Sequence, residues 1–191
     1  MRFSSTELRD LAKAWLLLSV AFTIALHGSG VLFSSQIFWL LLVSGITVGL
    51  GFLLHELSHK FVAQRFGCWA EFQSWDNMLW LCVLMSFFGF LFAAPGGVMI
   101  RGMKSAEKYG PIALAGPLMN VFLSLAFLLA RFILPAFADV ASYGASVNAW
   151  LAVFNLIPFG PLDGAKVLRW NKAWYAGALV LAGIVMLVTQ V

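Results

Sequence analysis

The sequence runs to 191 residues, 62% of them hydrophobic and only 10% charged, with a mean hydropathy of +0.92. An ordinary soluble domain is roughly 45–50% apolar and about 25% charged, and a disordered chain is less apolar still, so both classes are excluded. The formal net charge of +4 then points to basic loops held against anionic lipid rather than to a nucleic-acid partner.

In chain order, Arg2, Arg9 and Lys13 precede an apolar run from Ala14 to Leu26. This reads as a retained span that begins near Leu11, with a cleaved leader before Gly28-Ser29-Gly30 as the alternative. A second apolar stretch, Ile37 to about Phe66, carries His55, Glu56 and His59, and its Gly45-x-x-x-Gly49 spacing permits close helix approach. A third, Met78–Ala94, ends in Pro95-Gly96-Gly97. The fourth is Ile112–Leu134. The fifth, Val147–Ile157, breaks up at Pro158, Gly160 and Pro161, and the sixth is Trp174–Val188. Cys68 and Cys82 are too few for a disulfide framework or a Cys-type metal site.

The basic residues set an orientation. They cluster as Arg2, Arg9 and Lys13; Lys60 and Arg65; Arg101, Lys104 and Lys108; and Lys166, Arg169 and Lys172. All four clusters fall on one side only if Met78–Ala94 does not cross, and the positive-inside rule prefers that arrangement. The segment Trp75–Ile100 is also too short for two spans of about 20 residues each. The expectation is an all-α polytopic membrane protein with about five full transmembrane helices. A re-entrant or membrane-dipping segment lies near 75–100, and residues 1–191 form a single domain whose core is about 37–170. The N-terminus faces the cytoplasm.

The chemistry is concentrated in His55-Glu56-Leu57-Ser58-His59. Residues four apart share a helix face, so His55 and His59 can present imidazoles to one ion, and Glu56 lies beside them as a general base. Two histidines and a glutamate on one turn at membrane depth are costly unless they are used. A catalytic zinc site takes three protein ligands. His27 is one candidate for the third, although the topology places it at the opposite side. Asp163 is another, following the Pro- and Gly-broken exit Asn155-Leu156-Ile157-Pro158-Phe159-Gly160-Pro161-Leu162. Such a break can aim a carboxylate inward, or it can be an ordinary helix exit with a solvated Asp.

Taken together, these motifs resemble the site-2 protease family of intramembrane zinc metalloproteases. The resemblance rests on His55-Glu56-x-x-His59, on Asn155-x-x-Pro158-x-x-Pro161-Leu162-Asp163-Gly164, and between them on Ala115-Gly116-Pro117-Leu118-x-Asn120, which resembles the family's element at the start of its middle core helix. It implies one zinc ion per chain bound by His55, His59 and Asp163, with Glu56 as the catalytic base and Asn155 near the substrate or the oxyanion. The implied substrate is a transmembrane protein or peptide, cut in or near the bilayer. Trp75–Phe92 is longer and more apolar than the connecting region of simple family members. The competing reading is a zinc-binding membrane scaffold or a transporter. A transporter would show paired repeats and matching broken helices, and it leaves Glu56 without a task.

Overall fold

The computed structural model describes residues 1–91, 95–102 and 106–190. Lys104 of the third basic cluster and residues 92–94 of the third apolar stretch lie outside them. The described chain is mainly helical and divides into two compact units, Met1–Leu53 with Glu71–Met99, and Leu54–Ala70 with Ile100–Val191.

In the first unit, α1 (Ser5–His27) starts earlier than its apolar run suggests, because Ser4 accepts the Glu7 N–H at 3.1 Å and caps the helix. The helix α2 (Ile37–Ser44) continues through a π-helical turn, Gly45–Gly49, into α3 (Leu50–Arg65), so that Ile37–Arg65 is one helix of 29 residues. The two glycines of the turn lie under the Trp15 indole. A methyl on Gly49 would come within 2.6 Å of that ring, and the indole N–H donates to Gly45 O at 2.9 Å. The close approach implied by the glycine spacing is therefore made by a tryptophan side chain.

After α3 the all-helical expectation fails. Trp69–Ser74 forms β1 and Gly96–Arg101 forms β2, paired as a two-stranded sheet around the short helix α4 (Asp76–Ser86). The physical reason is visible in β1, where Ala70 and Phe72 are buried in strict alternation, a period of two that a search for apolar runs passes over. The outer edge of β1 is covered by α1: Glu7 accepts the Phe72 N–H at 2.9 Å and Asp10 accepts the Ser74 N–H at 3.0 Å. Lys13 pairs with Asp76, and its ammonium holds the Asp76 carboxyl below the usual carboxylate range. The Trp75 N–H donates to Pro95 O at 3.0 Å, so the chain enters and leaves the 76–94 excursion side by side. The 11 residues of α4 reach only about 17 Å, short of a bilayer core of roughly 30 Å.

The second unit contains the end of α3, then α5 (Tyr109–Ile133), α6 (Ala138–Asn155), α7 (Asp163–Trp170) and α8 (Lys172–Val188). The Gly116–Asn120 element lies two turns inside α5 rather than at its start, and α6 begins nine residues before its apolar run. The added turns of α6 carry small residues that pack against α5: Gly144 lies under the Phe127 ring, and Ser124 Oγ donates to Ala145 O at 2.8 Å. Ala149, Ala152, Leu156, Val167, Ala182 and Val185 form the core with α5. Phe122, Leu129 and Phe132 on α5, and Val180, Ile184 and Leu187 on α8, are exposed at helical spacing, an apolar exterior suited to lipid. Among the described residues, Ser5–His27, Ile37–Arg65 and Tyr109–Ile133 are long and apolar enough to cross a membrane; α6 and α8, with 18 and 17 residues, are shorter than the usual span of about 20. Lys60, assigned to a basic cluster, is buried.

The bend between α6 and α7 is held by Gly164, where an added Cβ would run into the Leu156 carbonyl. A backbone atom cannot give way as a side chain can. Gly164→Ala should therefore destabilise the protein by about 1–3 kcal/mol, seen as a lower midpoint of thermal unfolding in detergent; an unchanged midpoint would show that the bend accommodates the methyl.

Candidate metal centre

On the last turns of α3, within the second unit, His55 and His59 project from one helix face, with ring centroids 4.7 Å apart and planes at 83°. The α5 helix settles the state of both rings. His59 Nδ1 lies 2.7 Å from the Ile112 backbone carbonyl, which can only accept, so this nitrogen carries the proton and donates it. His55 Nδ1 donates likewise to Asn120 Oδ1 at 2.6 Å. Each neutral imidazole has one N–H, and here both are committed on the Nδ1 side. With both rings neutral, the two Nε2 atoms, 3.0 Å apart, carry lone pairs.

The third member arrives from α7. Asp163, the first residue of that helix, places Oδ2 3.2 Å from His55 Nε2 and 3.0 Å from His59 Nε2. Its other oxygen, Oδ1, accepts from Lys166 Nζ at 2.9 Å, one helical turn on. Three possible donor atoms thus converge within a buried space. With both rings neutral, such a triangle is repulsive unless a cation lies against it. Zinc bonds of about 2.0 Å in a tetrahedron put neighbouring ligand atoms about 3.3 Å apart, close to the 3.0–3.2 Å edges here, and two imidazoles with one carboxylate are a donor set that zinc accepts. His55, His59 and Asp163 could therefore hold a metal ion. Space above the triangle is kept by Gly116, whose Cβ would press on both Nε2 atoms.

The remaining expected residues separate. Glu56 is 9% exposed, next to His55 in the chain, and among the described residues its carboxylate has no hydrogen-bond or ion-pair partner. Asn155 turns back on its own helix, donating to Leu151 O at 3.0 Å, and lies outside the donor group. His27 is exposed at the end of α1 and lies outside the donor group. Three participants carried no assigned role in the sequence: Asn120, Gly116 and Lys166. The first two sit in the Gly116-Pro117-Leu118-x-Asn120 element, and Lys166 is three residues after Asp163, a spacing that places it on the same helix face. The Ile112 acceptor is a backbone carbonyl and has no sequence signal.

Over 191 aligned residues the chain is 37% identical to "Putative zinc metalloprotease MJ0611" of Methanocaldococcus jannaschii, an alignment covering 97% of this chain and 95% of that one. The chain belongs to the site-2 protease family of zinc metalloproteases. Within the family it is also 36% identical over 164 residues to "Putative zinc metalloprotease Rip3" of Mycobacterium tuberculosis, matching 80% of this chain and 37% of that longer one. "Zinc metalloprotease MJ0392" of M. jannaschii is 28% identical over 157 residues, covering 78% of this chain and 39% of its own length. No family model and no solved structure matches the chain.

Metal analysis of purified variants tests the donor set. Asp163→Ala should lower zinc content or affinity by at least about tenfold, since even partners outside the ligand set are worth 10–100-fold, whereas His27→Ala should leave it at the wild-type level. Zinc loss that followed His27 instead would remove Asp163 from the site.

Proposed function

We propose that this chain is an intramembrane zinc endopeptidase that hydrolyses a peptide bond in or beside a transmembrane segment of another membrane protein. The observation that carries the proposal is the buried triangle of His55, His59 and Asp163 donor atoms, two of them on a helix of membrane length. Counted from Ile37, His55 lies about 27 Å along that helix, near the far side of a bilayer core of roughly 30 Å. On this reading His55, His59 and Asp163 hold one zinc ion per chain. Zinc held by these residues would supply Lewis-acid chemistry, making water a nucleophile at neutral pH.

The chain's own residues supply the proton transfers. Glu56 adjoins a ligand and is unencumbered by hydrogen bonds, so it can take a proton from the attacking water and return it to the leaving amine. Asn155 can assist the substrate or the oxyanion by exchanging its bond to Leu151 for one to the bound peptide. A transmembrane helix hides its carbonyls in its own hydrogen bonds, so the substrate must unwind locally. The membrane is the cell membrane, crossed by five full spans. The N-terminus, the mouth of the site and the 101–108 loop lie on the cytoplasmic side, as the basic residues require. The short α4 and the adjacent ends of its excursion support a segment that dips and returns.

Glu56→Gln should retain about one zinc per chain while cleavage of a transmembrane peptide falls by at least about 10²-fold; a chelator should abolish cleavage by the wild type. Full turnover by the variant would exclude Glu56 as the base. The orientation has its own test. In a background free of Cys68 and Cys82, cysteines at Phe66 and Glu107 should react with an impermeant probe from the cytoplasmic side, and cysteines at Ser35 and Ala136 from the other. External labelling at Glu107 would make Met78–Ala94 a true span.

A further inference from the structure

The two oxygens of Asp163 have different partners. Oδ2 completes the donor triangle with His55 and His59, while Oδ1 accepts from Lys166 Nζ at 2.9 Å. Among the described residues, no other group is hydrogen-bonded to Oδ1. Asp163 and Lys166 are three residues apart on α7, so the first turn of one helix sets their pairing. The pair is lopsided. The Asp163 side chain is 8% exposed and that of Lys166 is 48% exposed, so the ammonium reaches inward from the surface to a carboxylate buried against the histidines. A carboxylate can bind a metal through one oxygen or through both. The choice matters at a catalytic zinc site, which takes three protein ligands and keeps a further position open for water. Two imidazoles and both oxygens of one carboxylate would fill all four corners of a tetrahedron.

We propose that Lys166 is a positioning residue that withholds Asp163 Oδ1 from the metal, so that Asp163 ligates through Oδ2 alone and one position stays open. The task calls for a cation. A hydrogen bond between an ammonium and a carboxylate is roughly twice as strong as one between neutral groups, and a neutral donor would compete poorly with a dication for the same oxygen. Ligating carboxylates depend on such outer partners for their orientation. Without Lys166, Oδ1 loses its partner and is free to turn to the metal beside Oδ2. The lysine contributes little to folding, because an ion pair with one half-exposed partner adds little stability. Its effect therefore falls on how Asp163 binds rather than on whether the protein folds.

The proposal rests on the reading of Asp163 as a metal ligand, and the experiment separates the two. The full-length protein in detergent is loaded with saturating cobalt(II) in place of zinc, and its visible spectrum and bound cobalt are measured for wild type, Lys166→Met, Lys166→Arg and Asp163→Ala. Four-coordinate cobalt absorbs several-fold more strongly in the visible than five-coordinate cobalt, because a tetrahedral field mixes p character into the d orbitals most effectively. Wild type and Lys166→Arg, which both present a cationic donor to Oδ1, should show the strong band. Lys166→Met should still bind one cobalt per chain, with the band reduced several-fold as the second oxygen joins. A merely structural role for Lys166 would not change the coordination number of a fully loaded site. An unchanged band in Lys166→Met, or an equal reduction in Lys166→Arg, overturns the proposal. So does failure of Lys166→Met to take up cobalt, since the lysine would then be needed to place the carboxylate and not to set its mode of binding. A wild-type spectrum and cobalt content in Asp163→Ala overturns the ligand assignment, and the proposal with it.

Discussion

The site depends on where two imidazole protons go. A histidine pair at i and i+4 can face the same direction with its protons in any of several places, and only one arrangement leaves both Nε2 atoms bare. The α5 helix enforces that arrangement with one side-chain oxygen, from Asn120, and one backbone carbonyl, from Ile112. Supplying both acceptors requires α5 to lie close to the histidines, and Gly116 is the residue that lets it, since a methyl there would occupy the space in front of the ring nitrogens. Two imidazole nitrogens facing a carboxylate at 3.0–3.2 Å could hold a metal ion, since unprotonated they are unfavourable together without a cation.

The same rule governs the other unit, where there is no chemistry to explain it. An exposed strand edge leaves backbone N–H groups without partners. The edge of β1 is instead satisfied by Glu7 and Asp10, three residues apart on one face of α1 and matched to alternate residues, Phe72 and Ser74, of the strand. Those carboxylates are buried because they do the work of a neighbouring strand. At Gly45–Gly49 a π-helical turn and the Trp15 indole bring α1 against the long helix, with the indole N–H bonded to a backbone carbonyl. In both places polar groups in an apolar chain are found bonded to the backbone.

Membership of a protease family and the arrangement of the donors address different questions. The likeness to MJ0611 over nearly the whole of both chains shows which family this is, while the hydrogen bonds of His55 and His59 show why these residues, in this fold, suit a metal. Lys166 illustrates the difference. Its ion pair with Asp163 occupies the oxygen that points away from the histidines and so leaves Oδ2 for the triangle.

Sequence alone determined the helical membrane class, because the balance of apolar and charged residues permits little else, and it determined the pairing of His55 with His59, because helical periodicity places residues four apart on one face. It also singled out Asp163 as a candidate, since prolines and glycines break the helix just before it. It did not show the two-stranded sheet, in which β1 alternates over only six residues and β2 not at all, or the early start of α6, whose small residues face α5 and need not be strongly apolar. Only the tertiary structure decided that Asp163 rather than His27 joins the histidines, that Asn155 bonds to its own helix, and that the Ile112 carbonyl and the Asn120 amide oxygen face the two Nδ1 atoms. The reason is that the tautomer of each imidazole depends on the group across the gap. That group comes from a helix 50 or more residues away in the chain, and where it is a backbone carbonyl no residue type announces it.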